Sequence, residues 1–306
     1  MLEFLARRLF AMLPVLWGAA TISFIAVHLL PGDPATLLLI RSGASMEAIA
    51  ARRALLGWDR PWLVQYGSYL LDLIRGDLGR SWVNGQPVTR LLAEQWPRTL
   101  ELTVSAMGIA VIFGMMTGIA AGTWRGTWID SLGMGVALLG LSTPVAWSGL
   151  LAIWLFSLTL GWLPAVGQDG AHYLILPALV LGWTAAGPIA RLTRNGLIET
   201  WAEPFMAAAR AKGLPTRWLL IRHALPLVLP PVLAMVALQF GFLLGGAAVT
   251  EAIFVRQGLG RLAVEAILTQ DLPVVQGVVL LGAATYTLVN LLADFVQWLL
   301  DPRARL

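Results

Sequence analysis

The sequence of 306 residues contains no cysteine, and only 12% of its residues are charged. The lack of cysteine excludes disulfides, thiolate metal sites and cysteine nucleophiles. The low charge excludes an ordinary soluble domain, in which about 25% of the residues are charged. Lysine occurs once, as Lys212, and Gly213 follows it. Because a phosphate-binding loop needs Gly-Lys followed by Ser or Thr, the chain itself binds no nucleotide in that way.

Long apolar runs dominate what is present, since 58% of the residues are hydrophobic. A helix needs about 20 apolar residues to cross a bilayer. Six runs meet this length, near residues 9–29, 101–122, 132–160, 174–195, 227–249 and 275–298. The first run exceeds the roughly 7–15 residues of a secretory signal core, and Pro144 interrupts the third. The predicted fold class is an all-α integral membrane protein with six transmembrane helices.

Arginine and lysine in the short loops predict the orientation of these helices. Basic residues are concentrated at both ends of the chain and in the loop 196–226, whereas the loop 161–173 has none. Because the basic side of a membrane protein faces the cytoplasm, both termini and the loop 196–226 are predicted to be cytoplasmic.

This topology divides the chain into consecutive segments. Residues 1–30 form the cytoplasmic N-terminus and the first span. Residues 31–97 are too polar to span a bilayer and are predicted to form an extramembrane helical segment on the periplasmic or extracellular side. Residues 98–300 form a five-helix core that contains the cytoplasmic loop 196–226, and residues 301–306 form a cytoplasmic tail.

A short basic helix is predicted inside the loop 196–226. Pro204 suits the first turn of a helix, and Gly213 suits the position after its last turn. Four residues share one face by their i, i+3, i+4 spacing: Phe205, Ala208, Ala209 and Lys212. A helix of this length is marginal alone in water and needs a surface to dock on. Two interpretations are open: arginine contacts to lipid headgroups, or docking into a groove of another protein.

Few polar side chains lie inside the predicted spans. Asp294 is a candidate for lining a transport pathway, because ionisable residues in spans are functional by default. Structural hydrogen bonding within the bundle is the alternative. Asn290 shares its face at i, i+4, and Gln239 lies in a glycine-rich part of span five that favours close helix packing. No metal site is predicted, because the three histidines fit no metal-ligand spacing.

Short motifs in order along nearly the whole chain resemble the permeases of binding-protein-dependent ABC importers. More narrowly, they are similar to the dipeptide, oligopeptide, glutathione and nickel permease family. The motifs include ARRL (6–9), PGDP (31–34), GDLG (76–79), ILPAL (175–179), ARAKG (209–213), RHAL (222–225), TEAIF (250–254), GLGR (258–261) and DPR (301–303).

The resemblance implies that the short helix is a coupling helix, which fits into a cleft of a cytoplasmic ATPase subunit. The implied coupling residues are Glu203, Phe205, Ala207, Ala208, Ala209, Arg210, Lys212 and Gly213. The family's Glu-Ala-Ala pattern falls on Ala207, Ala208 and Ala209, so alanine stands at the glutamate position.

The resemblance also implies the type I ABC importer permease fold in a bacterial cytoplasmic membrane, working by alternating access. The implied partners are a second homologous permease, two ATPase subunits that bind MgATP, and a periplasmic or lipid-anchored substrate-binding protein. The chain itself would not be an enzyme and would bind no cofactor. It would contact membrane lipids and no nucleic acid.

The substrate is open between a small peptide and nickel. The short loop 161–173 and the run 110–128 are similar to glutathione-type members, and the spans offer almost no histidine to chelate nickel, so a di- or oligopeptide or glutathione is favoured. Two other classes remain: a secondary transporter or channel without an ATPase partner, and a membrane scaffold that transports nothing. Dependence of uptake on ATP, and loss of uptake on deletion, distinguish these alternatives.

Overall fold

The computed structural model describes residues 2–29, 45, 47, 54, 59–167 and 170–300. Among them, regular structure is helical apart from one isolated β-bridge between Arg80 and Pro87. Much of the predicted extramembrane segment 31–97, with the motif at 31–34, lies outside the described residues, as does the predicted tail 301–306.

The described helices follow one another in a simple order. They are α1 (Leu2–Leu29), α2 (Trp62–Ile74), α3 (Val88–Thr123), α4 (Trp128–Ser142), α5 (Val145–Ala152), α6 (Ala171–Ala202), α7 (Pro204–Ala211), α8 (Thr216–Leu219), α9 (Leu225–Ile253), α10 (Leu259–Leu268) and α11 (Leu272–Leu300). A π-helical stretch, Ile153–Thr159, continues α5, and a second, Leu220–Ala224, joins α8 to α9.

Five of these segments are long and apolar enough to cross a membrane. They are Phe10–Leu29, Val88–Thr123, Ala171–Ala202, Thr216–Ile253 and Leu272–Leu299. They correspond to five of the six predicted spans. The structural helices are longer than the apolar runs, because hydropathy does not detect the polar turns that extend a helix beyond the bilayer. For example, α3 has 36 residues, which is roughly 54 Å at about 1.5 Å per residue.

The third predicted span, 132–160, is broken rather than straight. Helix α4 ends at Ser142, Val145–Thr159 follows, and the two arms are bent by 108°. Pro144 lacks an N–H and disfavours helical geometry in the residue before it, and Thr143 is accordingly extended, with φ −90° and ψ 125°. The predicted interruption at Pro144 is confirmed, and the six predicted spans become five continuous helices and one bent pair.

The chain divides into two compact units. The first unit comprises Met1–Pro97 and Arg261–Thr287. In it, α2 is joined to α1 by a hydrogen bond between the hydroxyls of Thr21 and Tyr66 (2.6 Å) and by one between His28 Nε2 and Gln65 Oε1 (2.9 Å).

The second unit comprises Arg98–Gly260 and Leu288–Leu306, and α6 lies at its centre. The buried cluster of this unit contains residues of α3, α6 and α9, such as Leu102, Ile189 and Val232. Helices α3 and α6 approach closely where α3 presents Gly114, Gly118 and Gly122. Residues four apart lie on one helix face, and small residues allow two backbones to come together.

Candidate functional site

The short helix α7 (Pro204–Ala211) lies in the loop where the sequence predicts it. Pro204 is in its first turn, after Glu203 with an extended backbone. At its end Gly213 adopts φ +79°, and its N–H donates to the carbonyl oxygen of Arg210 at 2.9 Å. The N–H of Leu214 donates to the carbonyl oxygen of Ala209. These two bonds are a Schellman motif, in which glycine adopts the left-handed conformation at little cost.

One side of α7 is packed, and the other is open. Met206 is fully buried in the same cluster as α3, α6 and α9, and Ala209 is partly buried against that cluster. Phe205, Ala208 and Lys212 are exposed. The structure therefore corrects the predicted face in one residue: Ala209 lies on the packed side, because it is one turn from Met206.

Met206 was missed by the sequence reasoning, although it is the anchor of α7. The available signal was a large apolar residue three positions before Ala209 in a helix of alanines. Leu219 and Ala224 join the same buried cluster from the segment that follows α7. The loop is therefore held against α3, α6 and α9 at several points.

The remaining predicted coupling residues also surround α7. Glu203, Ala207, Arg210 and Gly213 are exposed. The guanidinium of Arg210 lies 4.7 Å from the ring centroid of Trp201, at the end of α6. Contact of these residues with an ATPase subunit stays a prediction.

A bidentate ion pair that the sequence did not predict joins α4 to α6. Arg194 Nε donates to Asp130 Oδ1 at 2.6 Å, and its NH2 group donates to Oδ2 at 2.8 Å. The backbone N–H of Gly126 also donates to Oδ2, at 3.0 Å. The carboxylate is therefore fully hydrogen-bonded, and the pair fixes the start of α4 against α6.

A second buried carboxylate connects two motifs of the sequence. Glu251 in TEAIF is completely buried and accepts a hydrogen bond from the hydroxyl of Thr99. The same hydroxyl oxygen accepts from the N–H of Leu259 in GLGR, at 2.7 Å. A Cβ on Gly258 would lie 2.1 Å from Glu251 Oε1, so a larger residue there would displace the buried carboxylate. The sequence alone did not predict the burial of Glu251 or its hydrogen bond with Thr99.

The three polar residues predicted inside spans have different surroundings. Gln239 is buried, and its Nε2 donates to the carbonyl oxygen of Ala185 at 3.4 Å, which links α9 to α6. Asn290 and Asp294 lie half-buried in α11. That Asp294, Asn290 or Gln239 lines a pathway stays a prediction.

Comparison with protein families gives two matches. Residues 110–306 match the family described as "Binding-protein-dependent transport system inner membrane component". Residues 1–103 match "Binding-prot-dependent transport system membrane comp, N-term".

Curated relatives match along the full chain. The glutathione transport system permease protein GsiC of Salmonella typhimurium (strain LT2) is 42% identical over 305 residues, covering 100% of this chain and 99% of that protein. GsiC of Escherichia coli (strain K12) is 41% identical over the same length and coverage.

Solved structures share the fold at lower identity. An inward-facing MetNI methionine ABC transporter matches with a TM-score of 0.59 and 20% identity, covering 69% of this chain and 96% of that chain. An amino acid ABC transporter matches with a TM-score of 0.51 and 20% identity, covering 70% of this chain and 94% of that chain.

Proposed function

Because the chain belongs to the family of binding-protein-dependent transport system inner membrane components, we propose that it moves a small peptide across the membrane under the control of ATPase subunits. The protein is a multi-pass permease subunit of an ABC importer in the bacterial inner membrane. Our proposal concerns its substrate, its partners and the way in which α7 transmits force.

The observation that supports coupling is the two-sided structure of α7. Its outer face exposes Phe205, Ala208 and Lys212, whereas Met206 is completely buried on its inner side. Protein interiors are close-packed and transmit displacement. A partner that pushes on the outer face therefore moves Met206, and with it the ends of the membrane helices packed around that side chain.

The energy source lies outside this chain. The only lysine, Lys212, is followed by Gly213, so the sequence has no Gly-Lys-Ser/Thr phosphate loop. We propose that two cytoplasmic ATPase subunits bind MgATP and press on α7 and on its counterpart in a second, homologous permease. A binding protein delivers substrate on the opposite side, and both termini of this chain are cytoplasmic.

The proposed substrate is glutathione or a peptide of similar size. Its support is the identity of 41–42% along the full chain to permeases named for glutathione transport. When ATP closes the pair of ATPase subunits, the substrate cavity of the permease opens outward. When the ATPase subunits separate again, the cavity opens to the cytoplasm.

Uptake of radiolabelled glutathione tests this proposal. Deletion of the gene should abolish ATP-dependent uptake, and the wild-type chain should restore it. Ala208→Trp adds bulk on the exposed face of α7 and should lower uptake to the level of the deletion strain. Gly213→Pro should do the same, because proline cannot adopt the φ of +79° found there. Ala171→Trp, at an exposed alanine that opens α6 far from α7, is the matched control and should transport normally.

Two results contradict the proposal. Normal uptake by Ala208→Trp, at wild-type abundance in the membrane, excludes docking through the outer face of α7. Uptake that survives ATP depletion and stops when the proton or sodium gradient is removed identifies a secondary transporter instead.

A further inference from the structure

A pocket of about 490 Å³ lies beside α7, where two membrane helices end. Helix α3 ends at Thr123 and α6 at Ala202, and both residues line the pocket. Arg125, from the turn after α3, and Arg210, from α7, line it as well. The pocket therefore brings together the ends of two spans and the helix to which we assign coupling.

The charge of this pocket is positive. Arg125 and Arg210 are both exposed, and neither forms a salt bridge within the described part of the chain. The pocket lining contains no aspartate or glutamate. Asp130, the acidic residue closest in sequence to Arg125, interacts with Arg125 only through charge, because its hydrogen bonds are with Arg194 and Gly126. Two guanidinium groups are thus available for an anion.

Two further donors lie in the pocket wall. The indole Nε1 of Trp201 and the hydroxyl of Thr123 are buried and have no hydrogen-bond partner among the residues that the structure describes. A buried donor without an acceptor is unfavourable by about 1–3 kcal/mol. An anion in the pocket brings acceptor oxygens next to both side chains.

The position and the donors together favour one class of ligand. Guanidinium groups bind phosphate oxygens in pairs of parallel hydrogen bonds. Basic pockets between membrane helices on the cytoplasmic side bind anionic lipid headgroups. Exposed tryptophans flank the turn after α3, where Trp124 follows the last residue of α3 and Trp128 begins α4, as is usual at the level of the headgroups.

We propose that this pocket binds the phosphate of an anionic phospholipid headgroup, held between Arg125 and Arg210. The phosphate links α7 to the end of α3 through charge rather than through apolar packing. This assigns Arg210, one of the predicted coupling residues, to the lipid and leaves Phe205 and Ala208 exposed for the ATPase. The site itself does not depend on the proposed function; only its influence on coupling does.

The test is native mass spectrometry of the detergent-solubilised full chain titrated with phosphatidylglycerol. A basic residue near a membrane surface contributes about 1 kcal/mol to the attraction of anionic lipid, so Arg125→Gln and Arg210→Gln should each weaken binding about fivefold. The double variant should weaken it roughly 25-fold if the two contributions add. Arg222→Gln, at an exposed arginine of the same loop outside the pocket, is the matched control and should bind like the wild type.

Further arms of the experiment separate the sources of phosphate. Phosphatidylcholine should bind weakly and show no dependence on the two arginines, because its headgroup has no net charge. Inorganic phosphate at the same concentration should not displace phosphatidylglycerol, and equal competition would identify a site for free phosphate. Unchanged lipid binding in the double variant overturns the proposal. If those variants instead lose only a copurifying ATPase, a protein carboxylate occupies the pocket.

Discussion

Buried charges in this permease are matched by donors that lie far away in the sequence. Asp130 pairs with Arg194, and Glu251 pairs with the hydroxyl of Thr99. A buried carboxylate without such partners would be unstable, because removal of a charge from water is costly unless hydrogen bonds replace the water. These pairs therefore provide hydrogen bonds to the buried carboxyl groups and also fix the relative position of neighbouring helices.

The pair of Asp130 and Arg194 should contribute measurably to stability. The side chain of Asp130 is only 8% exposed and that of Arg194 is 25% exposed. We expect Asp130→Asn and Arg194→Gln each to lower the free energy of unfolding by about 2 kcal/mol, as is typical of hydrogen bonds to charged groups. Denaturant unfolding in mild detergent measures both variants and the double variant, which should show a coupling of about 1 kcal/mol.

The exposed pair of Arg90 and Glu94 is the matched control. Its atoms are 2.9 Å apart, but the side chains are 68% and 51% exposed. An exposed pair of this spacing on a helix contributes about 0.2–0.5 kcal/mol. A structural role for the buried pair would be contradicted by two findings together. The losses of unfolding free energy in Asp130→Asn and Arg194→Gln would add without coupling, and each would be no larger than the loss caused by a substitution at Arg90 or Glu94.

At the same scale, local residues could be predicted from the sequence and distant pairs could not. The limits of α7 follow from Pro204 and Gly213, because each has a backbone preference that acts on its own neighbours. Asp130 and Arg194 are 64 residues apart, and their pairing depends on how α4 packs on α6. No periodicity or motif contains that information.

At the scale of helices, the contact of α3 with α6 depends on glycine. Three of the four glycines of α3, Gly114, Gly118 and Gly122, are spaced by four residues, and each faces α6. A Cβ on Gly118 would lie 2.5 Å from the carbonyl oxygen of Ala190 and 2.6 Å from the Cβ of Thr193. Since one of the atoms in the way belongs to the backbone of α6, the two helices must move apart to make room for the added Cβ.

Two alanine substitutions in α3 should therefore have opposite effects. Gly118→Ala should destabilise the protein by about 1–3 kcal/mol, as is typical of overpacking. Gly108→Ala, in the same helix but with nothing within 4 Å of the added Cβ, should stabilise it by about 0.5–1 kcal/mol. The free energy of unfolding in mild detergent is the measurement. Equal effects of the two substitutions would show that α3 and α6 do not depend on this contact.

The existence of the membrane helices could be predicted from the sequence, whereas their geometry could be predicted only in part. Apolar runs indicate each span because water is excluded from the bilayer core. Pro144 indicates the break between α4 and α5, but the angle of 108° depends on packing. The glycine spacing in α3 is also a signal of close approach, but close packing was predicted only for the glycine-rich part of span five.

At the scale of the whole molecule, most spans leave apolar surface uncovered within this chain. The most apolar window of α6 is 61% buried, whereas those of the other continuous spans are 22–33% buried. Helix α6 is thus enclosed by its own chain, and the others face lipid or another protein. The exposed apolar surface is available to lipid and to the second permease proposed above.

Purification in a mild detergent tests that arrangement. The tagged chain should copurify with a second multi-span permease and with cytoplasmic ATPase subunits, identified by mass spectrometry. Ala208→Trp should retain the second permease and lose the ATPases, because only the outer face of α7 is changed. Arg222→Gln should retain both. If the chain is repeatedly recovered alone under gentle extraction, the coupling proposal is contradicted, because it requires an ATPase partner. In that case α7 is a helix that contacts lipid headgroups only.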